Sequence, residues 1–513
     1  MANRLKNFIA GEFVDPHAGH GTKYIPVTNP ATGKEIAQVP CSDGNDVSRA
    51  VEAGLTAFET WSTTTIKQRA TIMLKFYSLV VQHSEELAKL VVLENGKNFT
   101  EAMADVAKGN ETVEWACGMP QIFAGRILEV SRGIECREVR APLGVVAAIV
   151  PFNFPFMVPM WTIPISLMCG NCVLLKPSEK VPMTMQRVID LFVEAGVPPG
   201  VFQVVHGAVD VVNALCENKQ IAAVSFVGSS KVAEIVSQKC NLQNKRVLAL
   251  GGAKNHLVAL PDCDHGMASR DIVASFAGCC GQRCMAASAL ILVGDCGGLL
   301  QSVIDTAGKL KAGQNPGEVG PLIDGIAKDR VLGYINDAEK NGAKILLDGR
   351  SWAFKENGYW VGPTIILHSS RTDAAICDEI FGPVLSVIQV DTWEDAISIE
   401  NANPYGNAAC IYTEMGAHAE WFTKRFNTAM IGVNIGIPVP REPFSFGGLY
   451  GTKSKFGDCD ITGDGAMEFF TNRKKITSKW TASYSSGQSA SLQNGGAAKK
   501  AKIEDKANFD GKM

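Results

Sequence analysis

The sequence holds no Gly-x-Gly-x-x-Gly run, so the usual glycine fingerprint of a dinucleotide-binding turn is missing. It has no basic field either. Lys and Arg number 49 against 52 Asp and Glu, a net charge of −3. That excludes the electrostatic footprint of a nucleic-acid or acidic-membrane binder. The first ten residues lack a long apolar stretch and read as neither a secretory signal nor a mitochondrial presequence. From Asn7 to Val14 the chain already patterns as β structure. The expected compartment is the cytoplasm, with the mitochondrion as the alternative. Regular cysteine spacing is also lacking. The 15 cysteines are odd in number and scattered through a long chain, which predicts free thiols rather than a disulfide scaffold. No internal repeat occurs, and no metal is expected. Residues 145–175 carry no charge, yet Pro151, Pro155, Pro159 and Pro164 would strip a helix there of bonds that lipid cannot replace. A buried strand, a proline-rich loop and a core helix are expected instead of a membrane span.

What is present fits a globular protein of two or three domains: 513 residues, 46 % hydrophobic and 20 % charged. Ile66, Ala70, Met73, Tyr77 and Val80 share one helical face. Ser84 is expected to cap the next helix, and Asn95-Gly96 to stop it. From residue 143 the period changes. Short apolar runs at 145–150, 173–176, 202–206, 223–227, 247–250 and 257–260 alternate with helical stretches such as 184–195 and 231–240. That alternation predicts a parallel, doubly wound α/β sheet with ligands beyond the strands' carboxyl ends. A second α/β unit is expected after about residue 262. Residues 481–513 are rich in Ser, Gly, Ala and Lys and are expected to be a disordered tail.

Four segments carry chemistry. In Gly281-Gln282-Arg283-Cys284 a thiol sits beside a guanidinium, which lowers a thiol's pKa and favours the nucleophilic thiolate. A buried core cysteine is the competing reading. In Pro151-Phe152-Asn153-Phe154-Pro155 the Asn153 amide can donate to a developing oxyanion, or simply sit in a turn. In Lys176-Pro177-Ser178-Glu179 the carboxylate can accept from ribose hydroxyls, or pair in a surface loop. In Phe226-Val227-Gly228-Ser229-Ser230-Lys231 a strand leads through one glycine into a helix start, where backbone N–H groups can meet a phosphate.

These segments, which occur along the chain in the family's order with Glu379-Ile380-Phe381-Gly382-Pro383 following Cys284, resemble the aldehyde dehydrogenase superfamily over about residues 5–480. Within it the chain looks most like the CoA-acylating methylmalonate-semialdehyde (malonate-semialdehyde) branch. The residues behind this are Ala141–Val145, Cys169-Gly170-Asn171, Gly252–His256, Gly281–Ala286 and Lys474–Ser478. The resemblance implies an enzyme of two doubly wound α/β domains plus a small β oligomerisation arm. The NAD-binding domain would span residues 1–119 and 142–256, the catalytic domain 257–445, and the arm 120–141 with 461–479. Cys284 would attack the aldehyde, and Asn153 and the Cys284 N–H would hold the oxyanion. A thioester would be left on the sulfur. Val150, Phe152, Lys176, Glu179, Lys180, Ser229, Gly251, Glu379 and Phe381 match cofactor-contact positions. Glu179 would repel a 2′-phosphate, which favours NAD over NADP. A homo-oligomer, dimer or tetramer, is implied.

One departure within the superfamily divides products. Hydrolytic members carry a Glu-Leu-Gly-Gly-Lys whose Glu activates water. That position is Leu250, or Ala249 with the glycines in register, and neither accepts a proton. General-base help is worth ~10²–10⁴-fold, and a thiol needs less of it than water. Coenzyme A is therefore the expected acyl acceptor, with acetyl- or propionyl-CoA and CO2 as products. A semialdehyde's carboxylate would be gripped by Arg283 and by Lys108, where the branch usually has a second arginine. Two other readings stand beside this one. One is a hydrolytic NAD(P)-dependent aldehyde dehydrogenase of another aldehyde; the other is a catalytically silent relative acting as a structural or binding protein. If the segment before Cys284 is helical, Cys280 shares its face and could trap it as a disulfide; small core packing is the alternative.

Overall fold

A computed structural model describes residues 3–17, 21–354 and 357–479; the proposed tail lies outside them. The chain divides into two units. Among the described residues, one comprises those up to 124 and from 140 to 474, the other 125–139 and 475–479.

In the first unit the apolar runs become two large sheets. The eight-stranded sheet has a parallel centre in the order Arg246–Leu250, Ile221–Val227, Val145–Ile149, Cys172–Lys176, Phe202–Val204. Antiparallel strands close its edges: Lys455–Gly457 on one side, and Asn7–Ile9 with Glu12–Val14 on the other. The runs around 145 and 172 are apolar without alternation because helices cover both faces. All five residues of Val145–Ile149 and of Cys172–Lys176 are buried. Strand order reverses between Val145–Ile149 and Ile221–Val227, which opens a crevice at their carboxyl ends.

The seven-stranded sheet runs Lys344–Leu347, Thr364–Leu367, Val384–Val390, Ala287–Val293, Asn255–Ala259, Ala408–Tyr412, Met430–Val433. It is parallel except at the first pair. A small third sheet joins Asn3–Arg4, Glu35–Pro40 and Tyr24–Thr28.

The proline-rich stretch folds as a strand, a loop and the helix Met157–Met168, whose residues from Val158 onward are buried despite Pro164 inside it. No helix among the described residues is long and apolar enough to cross a membrane. Helix Ile66–Gln82 starts with a Thr65/Gln68 capping box. Ser84 differs from expectation. It is the first residue of helix Ser84–Asn95, whose N-cap His83 makes no side-chain cap bond because helix Ile66–Gln82 ends on that same residue. Gly96, at φ 92, ends the helix as expected.

The second unit contains strand Arg126–Ser131, exposed along its whole length, paired antiparallel with the first part of strand Ile134–Pro142. The end of strand Thr471–Lys479 completes this three-stranded sheet. Residues 461–470, expected to be part of the arm, instead contain helix Gly463–Phe469 of the first unit.

Candidate active site

The crevice at the reversal of strand order is a cleft of about 630 Å³. Its walls are the segments that leave successive parallel strands. Residues 150–153 follow the first strand, Ser178 to Lys180 the next, Gly228-Ser229 and Gly251-Gly252 the two on the other side. The second sheet's domain closes it with Cys284, Asp324, Arg330, Glu379 and Phe381. Val150, Phe152, Asn153, Lys176, Glu179, Lys180, Ser229, Gly251, Glu379, Phe381 and Cys284 are thus brought to one cavity. Arg283 and Lys108 are not among its lining residues.

Cys284 follows a turn that the local sequence did not disclose. Helix His265–Ala277 gives way to a 3₁₀ turn, Gly278–Gly281, in which Cys279 and Cys280 adopt φ 49 and φ 54. Gly281 continues at φ 67, with a Cβ position only 2.0 Å from the Gly382 carbonyl oxygen. Only glycine fits there. The helical face expected to align Cys280 with Cys284 therefore does not exist. Cys280 is buried against Val181, Leu322 and Val361, while Cys284 packs against the core of the other sheet.

Polar side chains from three segments fasten the loop of Cys284. Asn255 Nδ2 donates to the Cys284 carbonyl at 2.8 Å and to that of Ala286 at 2.9 Å. Asn407 Nδ2 donates to the same Cys284 carbonyl at 2.9 Å. Gln282 is buried, its Oε1 accepting from the Ile323 N–H at 3.0 Å. Asn153, also buried, donates from Nδ2 to the Gln282 carbonyl at 3.0 Å, which ties its amide to the turn that leads into Cys284. Beneath it lies the buried pair Lys97–Asp105, 2.8 Å apart. Lys97 Nζ stands 3.7 Å from the centre of the Phe154 ring, and Asp105 accepts the Met157 N–H at 2.8 Å. Asn407, Lys97 and Asp105 carry no local signal of this task. Their partners lie far away in sequence. Asn255 stands in a motif of the resemblance, but its side-chain role was not legible there.

The electrostatics reverse one expectation. Enclosure, helped by the Glu379 carboxylate, pushes the Cys284 thiol up to about 12, outweighing nearby N–H groups and Arg283. The guanidinium is turned away. It lies over Gly278, donates to the Ala274 carbonyl at 3.2 Å and pairs with Glu101 at 3.4 Å. Lys108 pairs with Glu111 at 2.8 Å, and the same carboxylate meets Arg441. Burial and Arg441 both lower the Lys108 pKa. Each expected carboxylate-binding side chain is therefore already held by a glutamate of helix Phe99–Cys117.

The opposite wall is built for a sugar and phosphates. Lys176 and Glu179 are 2.8 Å apart. Burial opposes the Glu179 charge, yet Lys176 holds its pKa below the ordinary carboxylate value. An anionic hydrogen-bond acceptor at a strand's carboxyl end suits ribose hydroxyls and repels a phosphate there. Ser229, N-cap of helix Ser230–Leu242, makes no side-chain cap bond and lines the cleft with Gly228 and Val232; a helix start of this kind can meet a phosphate with its N–H groups. The donor set fits a dinucleotide.

Residues 17–476 match the profile of the aldehyde dehydrogenase family. Malonate-semialdehyde dehydrogenase 2 of Geobacillus kaustophilus (strain HTA426) is 44 % identical over 483 residues, 93 % of this chain and 99 % of the relative. Malonate-semialdehyde dehydrogenase of Halalkalibacterium halodurans is 41 % identical over 93 % of this chain and 98 % of its own length. Among solved structures, the methylmalonate-semialdehyde dehydrogenase DddC of Oceanimonas doudoroffii superposes with a TM-score of 0.91 at 39 % identity, covering 94 % of this chain and 99 % of that one. A Sinorhizobium meliloti 1021 protein assigned the same activity and complexed with NAD also gives 0.91, at 35 % identity and the same coverage.

Proposed function

The chain belongs to the aldehyde dehydrogenase family, and from that premise we propose that it oxidises malonate or methylmalonate semialdehyde with NAD and transfers the acyl group to coenzyme A. The observation that carries the reading is the convergence of Cys284, Asn153, the Lys176–Glu179 pair and Glu379 on one cleft. NAD, when bound, supplies the hydride acceptor. The chain's residues do the rest. Cys284 attacks the aldehyde carbon through sulfur. The developing oxyanion is met by the Asn153 amide and the Cys284 N–H, a pair worth roughly 10²–10³ in rate per donor. Loss of hydride from the thiohemiacetal leaves a thioester on Cys284.

Release to coenzyme A is favoured by what stands at the water-activating position of hydrolytic members. Ala249 and Leu250 are both buried in a strand and carry no base. A carboxylate β to the new carbonyl leaves as CO2, which gives acetyl- or propionyl-CoA. A second reading, release to water, draws support from Glu379, a carboxylate in the same cleft. NADH formation from malonate semialdehyde, methylmalonate semialdehyde and simple aldehydes, with and without CoA, separates the two. CoA-dependent turnover confined to the semialdehydes is expected, and equal rates without CoA favour hydrolysis. A protein that binds NAD and never reduces it would be a silent relative.

A further inference from the structure

Three carboxylates line the cleft: Glu179, Asp324 and Glu379. Two are spoken for. Glu179 pairs with Lys176 at 2.8 Å. Asp324 pairs with Lys180 at 2.5 Å and accepts the Ala327 N–H at 2.8 Å. Glu379 makes no salt bridge among the described residues. Its Oε1 accepts the Ala253 N–H at 2.9 Å. Its Oε2 lies over Gly252, where a Cβ would come within 2.1 Å. Glycine at 252 thus leaves the space in which this carboxylate reaches the cleft that Cys284 also lines.

We propose that Glu379 is the catalytic proton acceptor and donor for thiol exchange on Cys284, a role that rests on the reading of CoA-dependent release given above. The incoming CoA thiol gives its proton to the Glu379 carboxylate, and its sulfur bonds to the thioester carbon. The tetrahedral adduct collapses with breakage of the bond between that carbon and the Cys284 sulfur. The departing Cys284 thiolate takes the proton back from Glu379. One thioester is exchanged for another, and no electrons are gained or lost.

The surroundings suit that task. Burial pushes Glu379 up to about 7, against the Ala253 N–H, Arg330 and Lys254, and a base is most effective when its pKa lies near the working pH. The groups facing it are Arg330, Lys254, Tyr405 and Cys284. Lys254 is occupied by the Ala375 carbonyl at 2.7 Å. Among charged groups, Glu379 acts most strongly on the Cys284 thiol. Placing the proton on Glu379 therefore eases formation of the Cys284 thiolate, so the two sites favour sharing one proton.

The test avoids the cofactor. Cys284 is acetylated with p-nitrophenyl acetate, excess ester is removed, CoA is added, and acetyl-CoA formation per acylated site is followed from pH 5.5 to 9. The wild-type rate is expected to inflect near pH 7, below the inflection near ~8.5 that an unassisted thiol would give. E379Q should lose that inflection and fall on the order of 10²-fold, while E379D keeps the inflection and part of the rate. E379Q with the wild-type rate and profile overturns the proposal. Should E379Q not fold, a wild-type profile that inflects only above pH 8 overturns it equally. Acylated wild type that gives no acetyl-CoA at any pH refutes the CoA reading itself, a different result from an unaltered E379Q.

Discussion

Asn153 reaches the turn before Cys284 through a hydrogen bond to the Gln282 carbonyl, so its amide position depends on a segment far away in sequence. On the oxyanion role proposed for it, Asn153→Ala should lower kcat on the order of 10²–10³-fold with little change in NAD affinity, read by steady-state kinetics and cofactor titration. Glu400 offers a stability test away from the cleft. It is buried, accepts the Asn427 N–H at 3.0 Å, and burial pushes its carboxyl to about 7. The unfolded side chain ionises near ~4.3. Between those values the folded state holds a proton that the unfolded state has lost, so stability falls as pH rises. Glu400→Gln, which never ionises, should come closest to wild type at pH 4 and gain about 1–3 kcal/mol on it between pH 4 and pH 8. Melts at the two pH values check this, and a gain of equal size at both would contradict it.

At the level of elements, the buried Lys97–Asp105 pair joins the N-terminal half of helix Phe99–Cys117 to the start of helix Met157–Met168 through the Met157 N–H. Asp105→Ala leaves a buried ammonium unpaired and that N–H without its acceptor. It should cost about 3–5 kcal/mol, measured by denaturant unfolding, with dehydrogenase activity falling as the Phe154 loop loosens. Such links mark where reading the sequence ran out. Parallel strands were legible because burial on both faces writes continuous apolar runs, as in residues 145–149 and 172–176. Cys284, Asn153 and Glu179 could be singled out as candidates because their motifs are local, and the structure brings all three to one cleft. The left-handed pair Cys279-Cys280 was not, since helix propensity there yields to Gly281 packed on Gly382. Nor was the capture of Arg283 by Glu101, two residues far apart in sequence whose attraction appears only once helix Phe99–Cys117 is docked.

For the whole molecule, the strand Arg126–Ser131 exposes Ile127, Leu128 and Val130 at 67 %, 65 % and 51 %. An exposed apolar strand is a liability in a monomer and an asset at an interface between copies. We infer a homo-oligomer, so replacing Ile127 and Leu128 together with Lys should lower the mass seen by light scattering without unfolding the protomer. Segments from both large sheets line one cleft, and among its described lining residues Cys284 is the cysteine, the proposed site of acylation. The most direct measurement is intact mass of the enzyme after one turnover with semialdehyde and NAD but no CoA. The account predicts one acyl group per chain, mapped to Cys284, a burst of NADH equal to the sites, and loss of both the adduct and the block when CoA is added. An unmodified Cys284 with sustained turnover in the absence of CoA would contradict it.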